Sequence, residues 1–102
     1  MNKSTLYIGL NDKVTKRQEI STLEACKVIQ NIVLEEASGL TIYEADGIYK
    51  HDDGQIVIEK SLKVELYDTL EAVVLKIIGL LKSALNQESI ILQRETVDSV
   101  FV

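Results

Sequence analysis

A chain of 102 residues with 46% hydrophobic and 26% charged side chains has the size and balance of one globular domain, read here as 1–102. No apolar run approaches the roughly 18 residues of a membrane span, and Met1 to Thr5 lacks the charged-then-apolar layout of a signal peptide. A net charge of −5 disfavours direct contact with nucleic acid or an anionic membrane. The lone cysteine, Cys26, cannot close an internal disulfide, so a soluble, cytoplasmic protein is expected.

Ser4 to Leu10 alternates, with Leu6, Ile8 and Leu10 on one side and Thr5, Tyr7 and Gly9 on the other, the pattern of a half-buried strand. Gly9 inside it predicts a bulge or a close backbone approach. Asn11 to Glu19 is polar and aperiodic, hence a loop. Ser21-Thr22-Leu23-Glu24 matches a capping box and opens a helix. Cys26, Ile29, Val33 and Ala37 draw its apolar stripe, flanked by Ala25 and Ile32. Cys26 on that stripe reads as a small core hydrophobe. Ser38-Gly39 ends the helix, with Gly39 expected in the left-handed region.

Leu40 to Lys50 reads as a strand interrupted at Asp46-Gly47, and Asp52-Asp53-Gly54 as a hairpin turn. Gln55 to Asp68 is a long return strand with a bend expected at Lys60-Ser61, long enough for part of the hairpin to outrun the helices. Asp68-Thr69-Leu70-Glu71 resembles a second capping pattern. Leu70, Val73, Val74, Ile77, Leu80, Leu81, Ala84 and Leu85 then form a wide apolar face, with Leu75 on the polar side and Asn86 as the stop. Ser89 to Gln93 is a last strand, and Val100-Phe101-Val102 is expected to add a short strand or cover an edge.

The order β-α-β-β-α-β predicts an α+β, ferredoxin-like split β-α-β sandwich, a four-stranded antiparallel sheet with both helices on one face. The open face then carries Tyr7, Tyr43 or its neighbours, Val57, Glu59 and Tyr67, a mixture suited to solvent or to association.

The segments Leu6–Leu10, Gly39–Tyr49, Asp53–Ser61 and Asn86–Ile90, in order over nearly the whole chain, resemble a bacterial small-protein family catalogued as domain of unknown function, family 3574. That pattern often has Phe after the first Tyr and Trp after the Gly-x pair, where this chain has Ile8 and Tyr49. The resemblance implies the fold and no particular reaction.

Within those segments Tyr7, Tyr49, Glu59 and Ser61 form a candidate binding set, since a tyrosine–glutamate pair can hold a polar ligand or exchange a proton with it. Residues 44–68 carry seven acids against Lys50, Lys60 and Lys63, so Asp46, Asp52, Asp53, Glu59 and Glu65 form a candidate acidic patch. His51-Asp52-Asp53 reads as a solvated turn, because three neighbours on a tight turn converge poorly on one metal ion. No phosphate-binding loop, nucleophile elbow, Cys-x-x-Cys or His-Glu-x-x-His is present, so no catalytic residue, metal or cofactor is implied.

Two functions fit these observations. The first is an acidic module, a regulator or inhibitor docking on a larger, basic nucleic-acid-binding protein. The second is a small dimeric ligand binder or enzyme with an apolar cavity on the open sheet face, lined by Tyr7, Tyr49 or Glu59. A homodimer is expected in either case, joined by sheet faces or C-terminal strands with the acidic hairpin tips apart.

Overall fold

A computed structural model describes all residues, Met1 to Val102. The order is β1 (Asn2–Gly9), α1 (Thr22–Glu36), β2 (Thr41–Lys50), β3 (Ile56–Tyr67), α2 (Glu71–Ala84) and β4 (Ile91–Thr96). The strands form one antiparallel sheet in the order β2-β3-β1-β4, as the ferredoxin-like reading requires. No helix is long and apolar enough to cross a membrane.

Leu6, Ile8 and Leu10 of the first segment and Leu62, Val64 and Leu66 of β3 form the floor of the core. Ala25, Ile29 and Val33 of α1, with Val74, Ile77 and Leu81 of α2, close it from one side. Burying these thirteen core residues, Leu85 included, supplies the main drive to fold, at about 25 cal/mol per Å² of apolar surface. Cys26, Ile32 and Ala37 pack partly buried around them.

Helix α1 begins as expected: the Glu24 amide donates to Ser21 Oγ at 3.1 Å. The Glu24 side chain pairs instead with Lys27 at 3.5 Å. The helix ends at an extended Ala37, and the only left-handed glycine is Gly54 in the hairpin turn, so Gly39 is no left-handed cap. Helix α2 has no side-chain cap. Asp68 has φ +52° and exchanges two bonds with Asn2, its carboxylate accepting from the Asn2 amide and its amide donating to the Asn2 carbonyl. Pairing with β1 thus takes the side chain that local sequence assigns to the helix. Leu70 becomes the N-cap and is exposed, as is Leu80.

At its other end α2 closes on Asn86, at φ +48°. The Gln87 amide reaches the Lys82 carbonyl and the Asn86 amide the Ser83 carbonyl, a Schellman arrangement.

The hairpin departs from expectation in its regularity. Strand β2 runs unbroken through Asp46-Gly47, and β3 runs straight through Lys60-Ser61, because Asp46 faces Lys60 and Gly47 faces Glu59 in register. Lys60 and Asp46 form an ion pair at 2.9 Å, which keeps the lysine charged to higher pH than usual. The hairpin does outrun the helices. Ile48 and Ile58, opposite each other on the helix side, are each 66% exposed, and Ile56 is exposed beside them. This arm stretches the molecule to 47 Å, and the radius of gyration of 14.3 Å exceeds the roughly 13 Å of a compact chain of this length. The last residues add no strand; Val100 and Phe101 are exposed.

Candidate functional site

The sheet's open face carries the odd-numbered residues of β1, β2 and β3. Tyr7 faces Lys63 on one side and Ile91 on the other, Gly9 faces Ser61, Ala45 also faces Ser61, and Tyr49 faces Val57. Val57 and Tyr67 lie on this face as expected. Toward the hairpin end, between the β1–α1 loop and the arm, these strands floor a groove of about 880 Å³. All four residues of the candidate binding set line it: Tyr7, Tyr49, Glu59 and Ser61. It is an open groove of mixed lining, where an apolar cavity was expected. Tyr7 is 38% and Tyr49 45% exposed, because a single sheet with helices on one side has no second layer to close it.

Glu59 is the organising side chain. It reaches from β3 over Gly9 of β1 to the start of the β1–α1 loop, where its Oε2 accepts the Asn11 amide at 2.8 Å. Its Oε1 accepts the Tyr49 hydroxyl at a longer 3.3 Å. Only a glycine at position 9 permits this, since a Cβ there would sit 2.5 Å from Oε1. The glycine therefore marks a close approach and no bulge; the β1–β3 register passes through Gly9 unbroken. Partial burial, with the Glu59 charge alongside, raises the Tyr49 pKa, so its phenol stays a donor well above neutral pH. His51 meets the Tyr49 ring edge-on, with centroids 5.9 Å apart. Ser61 Oγ donates to the Glu59 carbonyl at 3.4 Å, and Tyr7 donates to Gln93 at 3.4 Å.

The five residues of the candidate acidic patch do not gather. Asp46 lies on the helix side of the arm, held by Lys60. Asp52 and Asp53 occupy the tip, where Asp53 accepts the Gln55 amide at 2.9 Å. Glu59 and Glu65 share the open face, at opposite ends of the sheet. Glu65 belongs to a separate cluster, its side chain 7% exposed and bonded to Lys3 Nζ at 2.8 Å, with Lys63 at 3.8 Å. Lys3, ahead of a contribution from Tyr43, holds the Glu65 carboxyl below the usual carboxylate range. The same carboxylate raises the Tyr43 pKa. Lys63 lies over the Tyr43 ring, 5.3 Å from its centre.

This fold recurs in solved structures. A phage S-adenosylmethionine (SAM) lyase in complex with S-methyl-5'-thioadenosine matches 92% of this chain and 79% of its own length, at 19% identity and a TM-score of 0.71. The periplasmic divalent cation tolerance protein CutA from Archaeoglobus fulgidus matches 97% of this chain and 87% of its own, at 12% identity and 0.65. The divalent cation tolerance protein from Thermus thermophilus matches 97% and 87%, at 14% and 0.62. No family model matches the chain. No curated protein sequence matches it. At these identities the likeness is one of fold. In this chain no group of three or more His, Cys, Asp and Glu side chains gathers in a metal-binding arrangement.

Sequence reasoning missed the far wall of the groove. Asn11, Lys13 and Lys16 of the β1–α1 loop, and Gln87 after α2, line it as well. Gln87 is buried and donates through Nε2 to the Asn11 carbonyl at 2.8 Å, tying the two loops together. The polar, aperiodic stretch from Asn11 to Glu19 was the only signal, and it announces a loop without its neighbours.

Proposed function

We propose that this chain is a small-molecule-binding protein whose open-face groove takes an organic ligand with a cationic centre, adenosyl sulfonium compounds foremost, and that it works as a self-associated assembly. One observation carries the reading: a carboxylate, Glu59, is held over a glycine by a backbone amide and the Tyr49 hydroxyl, in a groove that Tyr7 also lines. A carboxylate beside aromatic faces attracts a soft cation by charge and by ring quadrupole together. A volume of about 880 Å³ lies within the ordinary range for small-ligand sites. The phage SAM lyase of like fold, bound to a thioadenosine, supports this choice of ligand class. Glu59 serves as the ligand's acceptor, and Tyr49, with its proton retained, donates to Glu59 and steadies it.

The reading as an acidic docking module has less to stand on. Asp46 and Glu65 are paired with Lys60 and Lys3, which leaves Asp52 and Asp53 at the tip and Glu59 apart from them in the groove. Self-association draws its support from the arm. Ile48, Ile56 and Ile58 lie exposed beyond the helices, and a second copy seated there would bury them.

Calorimetric titration with SAM and with S-methyl-5'-thioadenosine tests the reading. Saturable binding of SAM that weakens at least ten-fold in Glu59→Gln is expected. No binding of either compound, or equal binding by Glu59→Gln, overturns it.

A further inference from the structure

The groove has a second pole of opposite charge. Lys13 and Lys16, both exposed on the β1–α1 loop, line the same groove as Glu59. Neither forms an ion pair, as Lys3, Lys27, Lys60, Lys63 and Lys76 do; Lys50 and Lys82 are also unpaired but do not line the groove. The acid nearest them in sequence, Asp12, lines the groove too and feels the Lys13 charge, but its oxygens are taken by other donors. Its Oδ1 accepts the Val14 and Thr15 amides at 2.8 and 3.0 Å, and its Oδ2 accepts Asn86 Nδ2 at 2.8 Å.

The loop that presents the lysines is pinned along its length. The Asp12 amide donates to the Arg17 carbonyl at 2.8 Å, and the Lys13 amide to the Asn86 carbonyl at 3.0 Å. Lys16 has φ +63°, a conformation uncommon for a side-chain-bearing residue, and its amide is tied to the Asp12 carbonyl at 2.9 Å. Such outliers persist where the surroundings over-determine them, and they concentrate at ligand clamps. Two ammonium groups that form no ion pair are thus carried on a fixed backbone in the same groove as a fixed carboxylate. A rim held in place before binding loses less freedom when it engages a ligand.

We propose that the groove selects dipolar ligands, with Glu59 seating the cationic centre and Lys13 and Lys16 seating a carboxylate carried by the same molecule. The inference rests on the ligand-binding reading above and adds the substrate class. The ligand bears an amino-acid-like anionic end, and its truncated forms bind less well. Glu88 at the groove rim adds negative charge on that side, so the lysines also offset a repulsion the anionic end would otherwise meet.

The test compares SAM with its decarboxylated form, which keeps the sulfonium and lacks the carboxylate. Both are titrated calorimetrically into wild type and Lys13→Gln/Lys16→Gln, with thermal unfolding confirming that the variant is folded. Wild type is expected to prefer SAM by roughly ten-fold, the scale of a charge-assisted contact. The variant is expected to lose that preference while binding the decarboxylated compound as wild type does. Equal affinity of wild type for both compounds, or a preference that survives in the variant, overturns the dipolar selection and leaves the cation site standing. Failure of both compounds to bind wild type removes the groove reading itself, and this proposal with it.

Discussion

Glu59 lies over Gly9, its two carboxylate oxygens 2.5 and 2.6 Å from the point where a Cβ on Gly9 would stand. Two strands thereby share one functional feature: β1 supplies the empty space, the loop after it supplies the Asn11 amide, and β3 supplies the charge. Gly9→Ala should drive the carboxylate out of this seat. The clash falls on the far end of a flexible side chain, so the fold survives, at a cost of about 1–2 kcal/mol for the lost charge-assisted bond to Asn11. Tyr49, freed of the nearby charge, should titrate closer to an ordinary tyrosine, though burial keeps part of its elevation. Urea unfolding and carbon-13 tyrosine resonances followed through alkaline pH measure both.

The Lys3–Glu65 pair gives stability a defined acid limb. The Glu65 pKa is depressed in the folded state, chiefly by its bond to Lys3. Its contribution is therefore complete above the unfolded carboxylate value of about 4.3 and is lost as pH falls through the lower folded value. Asp12 acts in the same direction, its pKa lowered by Asn86 and then by the Thr15 and Val14 amides. Urea midpoints should fall below about pH 4.5 in wild type and fall less steeply in Lys3→Met.

Asn86 combines a left-handed backbone with a side-chain bond to Asp12, and two substitutions separate them. Asn86→Gly keeps the conformation and loses the bond, which should cost about 1 kcal/mol. Asn86→Ala loses both, and should cost roughly 1 kcal/mol more. Equal losses in chemical denaturation would mean that the backbone conformation carries no strain.

Leu62 and Ile58 share one face of β3, yet the helices cover only Leu62. Leu62→Ala should cost about 2–5 kcal/mol, as a buried large-to-small change does. Ile58→Lys should shift the stability of an isolated chain by no more than about 0.5 kcal/mol. In light scattering at low micromolar concentration, wild type should show a multimer mass in low and high salt, and Ile58→Lys the mass of one chain. A single-chain mass for wild type at both salts would count against association through the arm.

Much of this fold is legible because its signals are periodic. The alternation of Leu6, Ile8 and Leu10 and the stripe of Ile29 and Val33 both report which side is buried, and both hold. Signals that depend on a neighbour elsewhere in the chain misled. Asp68 looks like a helix cap and serves β1 through Asn2 instead. Gly47 and Lys60 look like breaks, and pairing with Glu59 and Asp46 carries both strands straight through. For the site, the set Tyr7, Tyr49, Glu59 and Ser61 does meet on one groove, because all four share the parity of the open face. The lysines of the same groove stayed hidden, since a loop's position depends on contacts such as Gln87 with Asn11 that no local pattern encodes.

Amide chemical-shift mapping on a nitrogen-15-labelled chain titrated with SAM addresses the groove most directly. The Asn11 amide reports on Glu59 because it donates to that carboxylate. Saturable shifts concentrated at Gly9, Asn11, Tyr49, Glu59 and Ser61, with Lys13 and Lys16 moving alongside, are the expected result. Shifts confined to the helices or the C-terminal residues, or none at saturating ligand, would contradict the assignment of the open face as the binding site.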